Sequence, residues 1–243
     1  MSSFSLNGWV EVVANDLTIY SRFAEEWWVP GAPRFRSLQN ITPFRLELID
    51  ELVGDCSGKR VYDIGCGGGL VSVPLLDRGA SVTGVDISEA SINVARIATK
   101  GRGTFIVGDA REVPLSDASA DVVLLMDVVD HIKDYSRAVC EAYRLVKPGG
   151  YVYIGTINRT WQSWLGAILL GEGLRLIPPG THDHSMFISP EELQSVGSDA
   201  GLTFIKSQGE RVLLVPTIQR WAITLARSKS YALAFSMLFQ RRA

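Results

Sequence analysis

The chain is short of cysteine, of net charge and of long apolar runs, and each shortage closes off a class of protein. Only three cysteines occur among 243 residues, Cys56, Cys66 and Cys140. Their odd number and their spacing fit no zinc module, and they read as reduced thiols of a cytoplasm-like compartment. The formal charge of -2 argues against nucleic acid as a partner. No uncharged apolar stretch reaches the roughly 18 residues that a bilayer crossing needs. Met1 to Leu17 carries Glu11 and Asp16 and lacks a basic stretch followed by an apolar run, so it does not read as a secretory signal. There is no internal repeat and no low-complexity tract. The expected setting is the cytoplasm, with the inner face of a membrane (an organellar matrix in a eukaryotic source) as the peripheral alternative.

What is present is a hydrophobic content of 47%, enough for a sizeable core. Residues 1–57 read as a helical cap bearing Trp9, Tyr20, Phe23, Trp27 and Trp28, with a helix from about Pro43 to Val53. Short apolar strands then alternate with helical stretches. Strands are expected at Arg60–Ile64, Ser81–Asp86, Thr104–Gly108, Asp121–Met126 and Tyr151–Thr156. Ser88 reads as the cap of a helix running to about Lys100. Such alternation implies a doubly wound, mostly parallel α/β sheet, expected as seven-stranded and Rossmann-like. A single domain of 243 residues is expected: a cap over 1–57, a cofactor-binding core over 58–157, an insertion over 158–188, and a C-terminal part with a tail over 189–243.

Ligands of such sheets bind at the carboxyl ends of the strands. Asp63 and the turn Gly65-Cys66-Gly67-Gly68-Gly69 end the first strand, and Asp86 ends the second. Glycines let the backbone turn sharply and let a ligand approach. A carboxylate at Asp86 can accept both ribose hydroxyls. A dinucleotide fingerprint would need its third glycine where Leu70 stands, and Asp63 would repel a pyrophosphate. The same charge suits the ammonium and sulfonium groups of S-adenosylmethionine. Asp109, ending the third strand, can accept from an adenine amino group. A methyltransferase is the expected class, against a nicotinamide enzyme or a non-catalytic descendant of the fold.

Further stretches are more specific. They are Trp27-Trp28, Thr42-Pro43-Phe44-Arg45-Leu46, Val146-Lys147-Pro148-Gly149-Gly150, Thr156-Ile157-Asn158-Arg159, Ser163-Trp164, Pro179-Gly180-Thr181-His182-Asp183 and Phe187-Ile188-Ser189-Pro190-Glu191-Glu192-Leu193. With these the chain resembles the ubiquinone-biosynthesis O-methyltransferases, which methylate catechol-type polyprenyl intermediates. The resemblance runs from about Glu25 to Phe204 and implies cofactor contacts at Arg45, Gly65, Asp86 and Met126. A guanidinium at Arg45 would suit the carboxylate of the methionine moiety. Two positions depart from the family pattern. Asp127-Val128-Val129-Asp130-His131 stands where the family's metal motif is Glu-x-x-Glu-His. Leu214 and Val215 stand before Pro216, where a tyrosine and an asparagine are usual, which leaves the exact acceptor open.

Asp127, Asp130 and His131 would share one face if the segment turns helically, and could hold a divalent cation. Oxygen ligands favour magnesium or manganese, and the imidazole also admits zinc. Such an ion would ionise and orient a catechol. Without a metal, His131 or His182 would serve as general base. The alternative is that the two aspartates cap the next helix and His131 only packs. In the insertion, Trp161, Trp164, Leu165, Ile168 and Leu169 fall on one face of an α-helix. Residues 161–177 are expected either to pack as a lid or to touch a membrane surface that delivers a prenylated phenol. The tail Ser230–Ala243 is expected as a second anchor or an edge helix. Nothing in the sequence points to a particular oligomeric state.

Overall fold

The computed structural model describes residues 15–243. Trp9 and Glu11, and the part of the helical cap expected over 1–14, lie outside the described residues. Within the cap, a short helix spans Thr18–Arg22 and a long one spans Arg36–Leu52. The long helix starts a turn and more before Pro43 and carries that proline inside it.

The parallel half of the sheet follows the apolar runs closely. Its strands are β1 (Arg60–Ile64), β2 (Ser81–Asp86), β3 (Thr104–Val107), β4 (Ala120–Met126) and β5 (Val146–Ile157). Three antiparallel strands complete it: β6 (Leu202–Val212), β7 (Leu225–Ser228) and β8 (Ala234–Arg241). The order is β3-β2-β1-β4-β5-β8-β6-β7, so the sheet has eight strands where seven were expected. The expected tail helix is also corrected. Residues 234–241 form β8, hydrogen-bonded on one side to β5 and on the other to β6. Phe235, Met237 and Phe239 face one core layer and Leu238 faces the other. An interior strand is buried on both faces, which hides the alternation that marks an exposed one.

β4 lies at the centre of the sheet. Val123 and Leu125 join the layer containing Ile64, Val152 and Ile154, while Val122, Leu124 and Met126 join the layer containing Leu48, Val61 and Val82. Each such buried side chain contributes roughly 1.5–3 kcal/mol, which holds the strand ends in register. The strand order reverses between β1 and β4, parallel neighbours in which Ile64 pairs with Leu125. The loops after these two strands therefore diverge beside each other and leave a crevice at the carboxyl edge. Ser88 caps the helix Glu89–Ala98 as expected, its hydroxyl accepting from the Ser91 amide.

The insertion after β5 is helical but wound differently from the expectation. Trp161–Ser163 is one α-turn, and Trp164–Glu172 is a π-helix. Its i→i+5 bonding spaces neighbours wider than an α-helix does. The outward residues become Trp161, Trp164, Leu169, Leu170 and Leu174, while Ala167, Gly171 and Glu172 turn inward. No helix among the described residues is long and apolar enough to cross a membrane.

Candidate active site

The glycine turn after β1 is shaped by contact as well as by conformation. Gly65 has φ +79°, and a Cβ there would lie 2.1 Å from Val128 Cγ2. A Cβ on Gly67 or Gly68 would strike the Trp27 ring at 2.6 or 2.4 Å. Trp27 donates its ring N–H to Ser91, and Trp28 donates its own to the Gly68 carbonyl at 2.8 Å. The tryptophan pair thus clamps the loop from the outside. Nothing in the spacing of the two tryptophans shows this, because the loop lies about 40 residues downstream.

Asp86 ties the loop to β2. One of its oxygens accepts from the Gly67 amide and the other from the Ser88 amide, each at 2.8 Å. Both oxygens keep a further lone pair for a ligand. Burial raises its pKa despite these bonds. Asp63 is nearly fully buried and accepts from the Ser72 hydroxyl at 2.6 Å. Burial pushes its pKa up to about 6. Asp109 accepts from the Arg111 guanidinium, which holds it below the usual carboxylate range.

A cavity of about 660 Å³ occupies the crevice, and Arg45, Asp63, Gly65, Gly67, Asp86, Asp109 and Met126 all line it. A smaller, largely apolar cavity of about 120 Å³ lies under the insertion. Gly166, Ala167, Ile177 and Leu233 contribute to its wall, and Asp130 and His182 stand at its polar end. The two cavities share Arg45, Asp127 and His131 as lining residues, so a donor in one would meet an acceptor in the other there. Leu214 and Val215 are exposed on the short helix Leu214–Arg220 and line neither cavity.

The geometry regroups the expected metal and cofactor residues. Asp127 stands apart from Asp130 and His131. It adopts φ +53°, outside the single 3-10 turn Val129–His131, and so leaves the helical register that would align all three. Its carboxylate accepts from Arg45 Nη2 at 2.7 Å. Arg45 Nη1 donates to Glu210, a buried residue 165 positions later, at 2.6 Å. Arg45 therefore bridges two carboxylates of its own chain, and a methionine carboxylate would have to compete with them. Burial pushes the Asp127 pKa up to about 6, with Arg45 opposing it.

The group that does converge is Asp130, His131 and His182, one donor atom of each lying within 4.8 Å of the others. Neither aspartate caps the next helix; Asp134 holds that position. The His131 and His182 rings stack with centroids 5.4 Å apart. His131 Nδ1 meets Asn15 Oδ1 at 2.8 Å, and the Asn15 amide donates to the His131 carbonyl. His182 Nδ1 meets Glu172 at 3.0 Å. Both partner atoms are acceptors, so each ring carries a proton on Nδ1, and in the neutral form of the ring the lone pair is on Nε2. Both oxygens of Asp130 are buried and lack any hydrogen-bond partner among the described residues. Two imidazoles and a buried carboxylate this close together could hold a cation. Burial lowers the His131 pKa, which keeps that ring neutral. Glu172, Glu210 and Asn15 were missed by sequence reasoning. For Glu172 a signal was present: it is the lone charge in the apolar run from Trp161 to Leu174.

Comparison with known proteins fits this geometry. Residues 62–154 match the family description "Methyltransferase domain". The ubiquinone biosynthesis O-methyltransferase of Nitrosomonas europaea is 37% identical over 227 residues, covering 90% of this chain and 94% of that protein. Its counterpart in Bordetella pertussis is 40% identical, covering 79% and 82%. Among solved structures, an S-adenosylmethionine-dependent methyltransferase of Thermotoga maritima, described as a possible histamine N-methyltransferase, superposes with a TM-score of 0.65 at 24% identity. It covers 92% of this chain and 98% of its own. The magnesium protoporphyrin IX methyltransferase of Synechocystis, solved with S-adenosylhomocysteine bound, gives 0.65 at 18% identity, covering 93% and 95%. At such identities these structures speak to the fold. Relatives at 37 and 40% identity, matched over 94% and 82% of their own length, show that the chain belongs to the ubiquinone biosynthesis O-methyltransferases, enzymes that take their methyl group from S-adenosylmethionine.

Proposed function

We propose that the acceptor is a catechol-like phenol carrying an apolar, prenyl-type tail, and that a divalent cation takes part. The observation that carries this reading is the bare buried carboxylate of Asp130 between two lone-pair-bearing imidazoles, at the mouth of an apolar cavity. Asp130, His131 and His182 would hold the cation. When bound it supplies Lewis acidity to a phenol whose ordinary pKa is about 10. Two nitrogen donors and one carboxylate shift the preference from magnesium toward zinc. Asp86 would accept from the ribose hydroxyls and Asp109 from the adenine amino group, while Asp63 would face the cationic end of the donor. The reacting oxygen would then lie beside His131 and Asp127, which line both cavities. Positioning supplies much of the rate there.

Metal removal tests this reading. Chelator should abolish transfer to a catechol, and zinc, manganese or magnesium should restore it. If transfer survives chelation but is lost in His182→Ala, His182 is a general base and the cation is withdrawn.

The burial of Asp63 gives a pH dependence. In the free folded protein it keeps its proton up to about pH 6, whereas an unfolded aspartate loses its proton near 3.8. Folding stability therefore declines as pH rises through that window, because the folded state binds the extra proton there. A cationic donor needs the anion. Affinity for S-adenosylmethionine should accordingly fall as pH drops below about 6, by up to about tenfold per unit. Calorimetric titration should show the dependence flattened in Asp63→Asn; an unchanged slope would assign it to another group.

The exposed Trp161, Trp164, Leu169, Leu170 and Leu174 support a surface contact with a membrane through residues 161–177. Wild type should co-sediment with liposomes and Trp164→Glu should not. Trp164→Glu should keep activity on a short soluble catechol and lose it on a long-tailed one. Equal loss on both would mean a collapsed lid.

A further inference from the structure

Glu172 is the last residue of the π-helix that roofs the small cavity, and it points inward, away from the exposed face of that helix. Its carboxylate accepts three N–H groups. One oxygen takes the Gly180 amide at 2.6 Å. The other takes the His182 amide at 2.9 Å and the His182 ring at 3.0 Å. Two backbone amides would suffice to hold the turn at residues 180–182. The ring contact adds nothing to the turn but sets which nitrogen of His182 bears the proton and where Nε2 points. The N-terminal segment grips the same turn from its other side, the Asp16 amide donating to the Gly180 carbonyl.

We propose that Glu172 is a positioning residue that makes the insertion part of the catalytic centre. The roof delivers the carboxylate that fixes the His182 tautomer, so His182 is competent only when the roof is seated over the acceptor cavity. The proposal rests on the reading above that His182 works at the acceptor. It assigns Glu172 no contact with substrate.

Nitrogen-15 NMR of the imidazoles tests it. The chain has three histidines, which makes assignment by single replacements tractable. At about pH 8, where imidazoles are neutral, His182 of the wild type should carry its proton on Nδ1. A wild-type ring protonated on Nε2 would overturn the proposal, whatever any variant does. In Glu172→Gln the side-chain NH₂ must face an amide or the ring N–H, so the tautomer should mix. Turnover on a soluble catechol should fall about 10- to 100-fold, with the KM for S-adenosylmethionine held and the protein still fully folded at the assay temperature. Glu172→Asp, which retracts the carboxylate by one methylene, should show a smaller shift of the same kind. An unchanged His182 spectrum, or a loss of turnover that tracks a loss of folding or of cofactor affinity, would reduce Glu172 to a structural tie. Full turnover of His182→Ala would remove the reading of the site beneath it and leave the tautomer result standing by itself.

Discussion

Replacing Asp130 by alanine should lower transfer to a catechol by about a thousandfold and leave S-adenosylmethionine affinity unchanged. The size follows from the acceptor. A phenol of pKa about 10 is ionised to about one part in a thousand at neutral pH, and that is the advantage lost if nothing holds the oxygen as its anion. The location follows from the cavities, since Asp130 lines the smaller one and not the larger. Stability should move the other way. A buried carboxylate without partners costs free energy in the folded state, so the variant should melt no lower than the wild type. Lost turnover with retained or raised melting temperature is the signature of a group kept for function. Lost turnover with an equal loss of folded protein would instead make Asp130 structural.

The second large effect concerns the donor. Asp86→Ala should weaken S-adenosylmethionine by about 1.5–3 kcal/mol, the range for hydrogen bonds to a charged group, or about 10- to 150-fold. Asp86 also holds the Gly67 and Ser88 amides, so alanine both removes the ribose acceptor and frees the loop. Asp86→Asn keeps an acceptor oxygen and should lose less. Calorimetry on both variants separates the two contributions, and unchanged affinity in Asp86→Ala would remove Asp86 from the donor site.

The parallel half of the fold was legible because its signals are local. Each strand from β1 to β4 is a short apolar run with a glycine or an acid at its end, and β5 carries the apolar run Tyr151–Thr156 within a longer strand. The rest depends on distant partners. β8 looked like a helix or an anchor because an interior strand buries both faces. The insertion was read with the α-helical period of about 3.6, whereas its π-helix turns more slowly and exposes Leu169 and Leu170 together. In the site, the aspartates and His131 follow one another after β4 and could be named. What each one touches could not. Asp127 was expected beside a metal but meets Arg45, which in turn meets Glu210 on β6. His182 takes the place expected for Asp127 because the turn at residues 180–182 is drawn in by Glu172 and Asp16. A lone charge inside an apolar run is rare enough to flag, and Glu172 was such a case, whereas Glu210, beside Arg211, was not.

The most direct test of the account is a matched pair of acceptors, a prenylated catechol and the same molecule with one of its two hydroxyls replaced by hydrogen, each incubated with the purified protein and S-adenosylmethionine. The account predicts a single methyl group transferred to oxygen of the catechol, abolished by chelator, with little or no transfer to the monophenol. Equal transfer to both, undiminished by chelator, would contradict it.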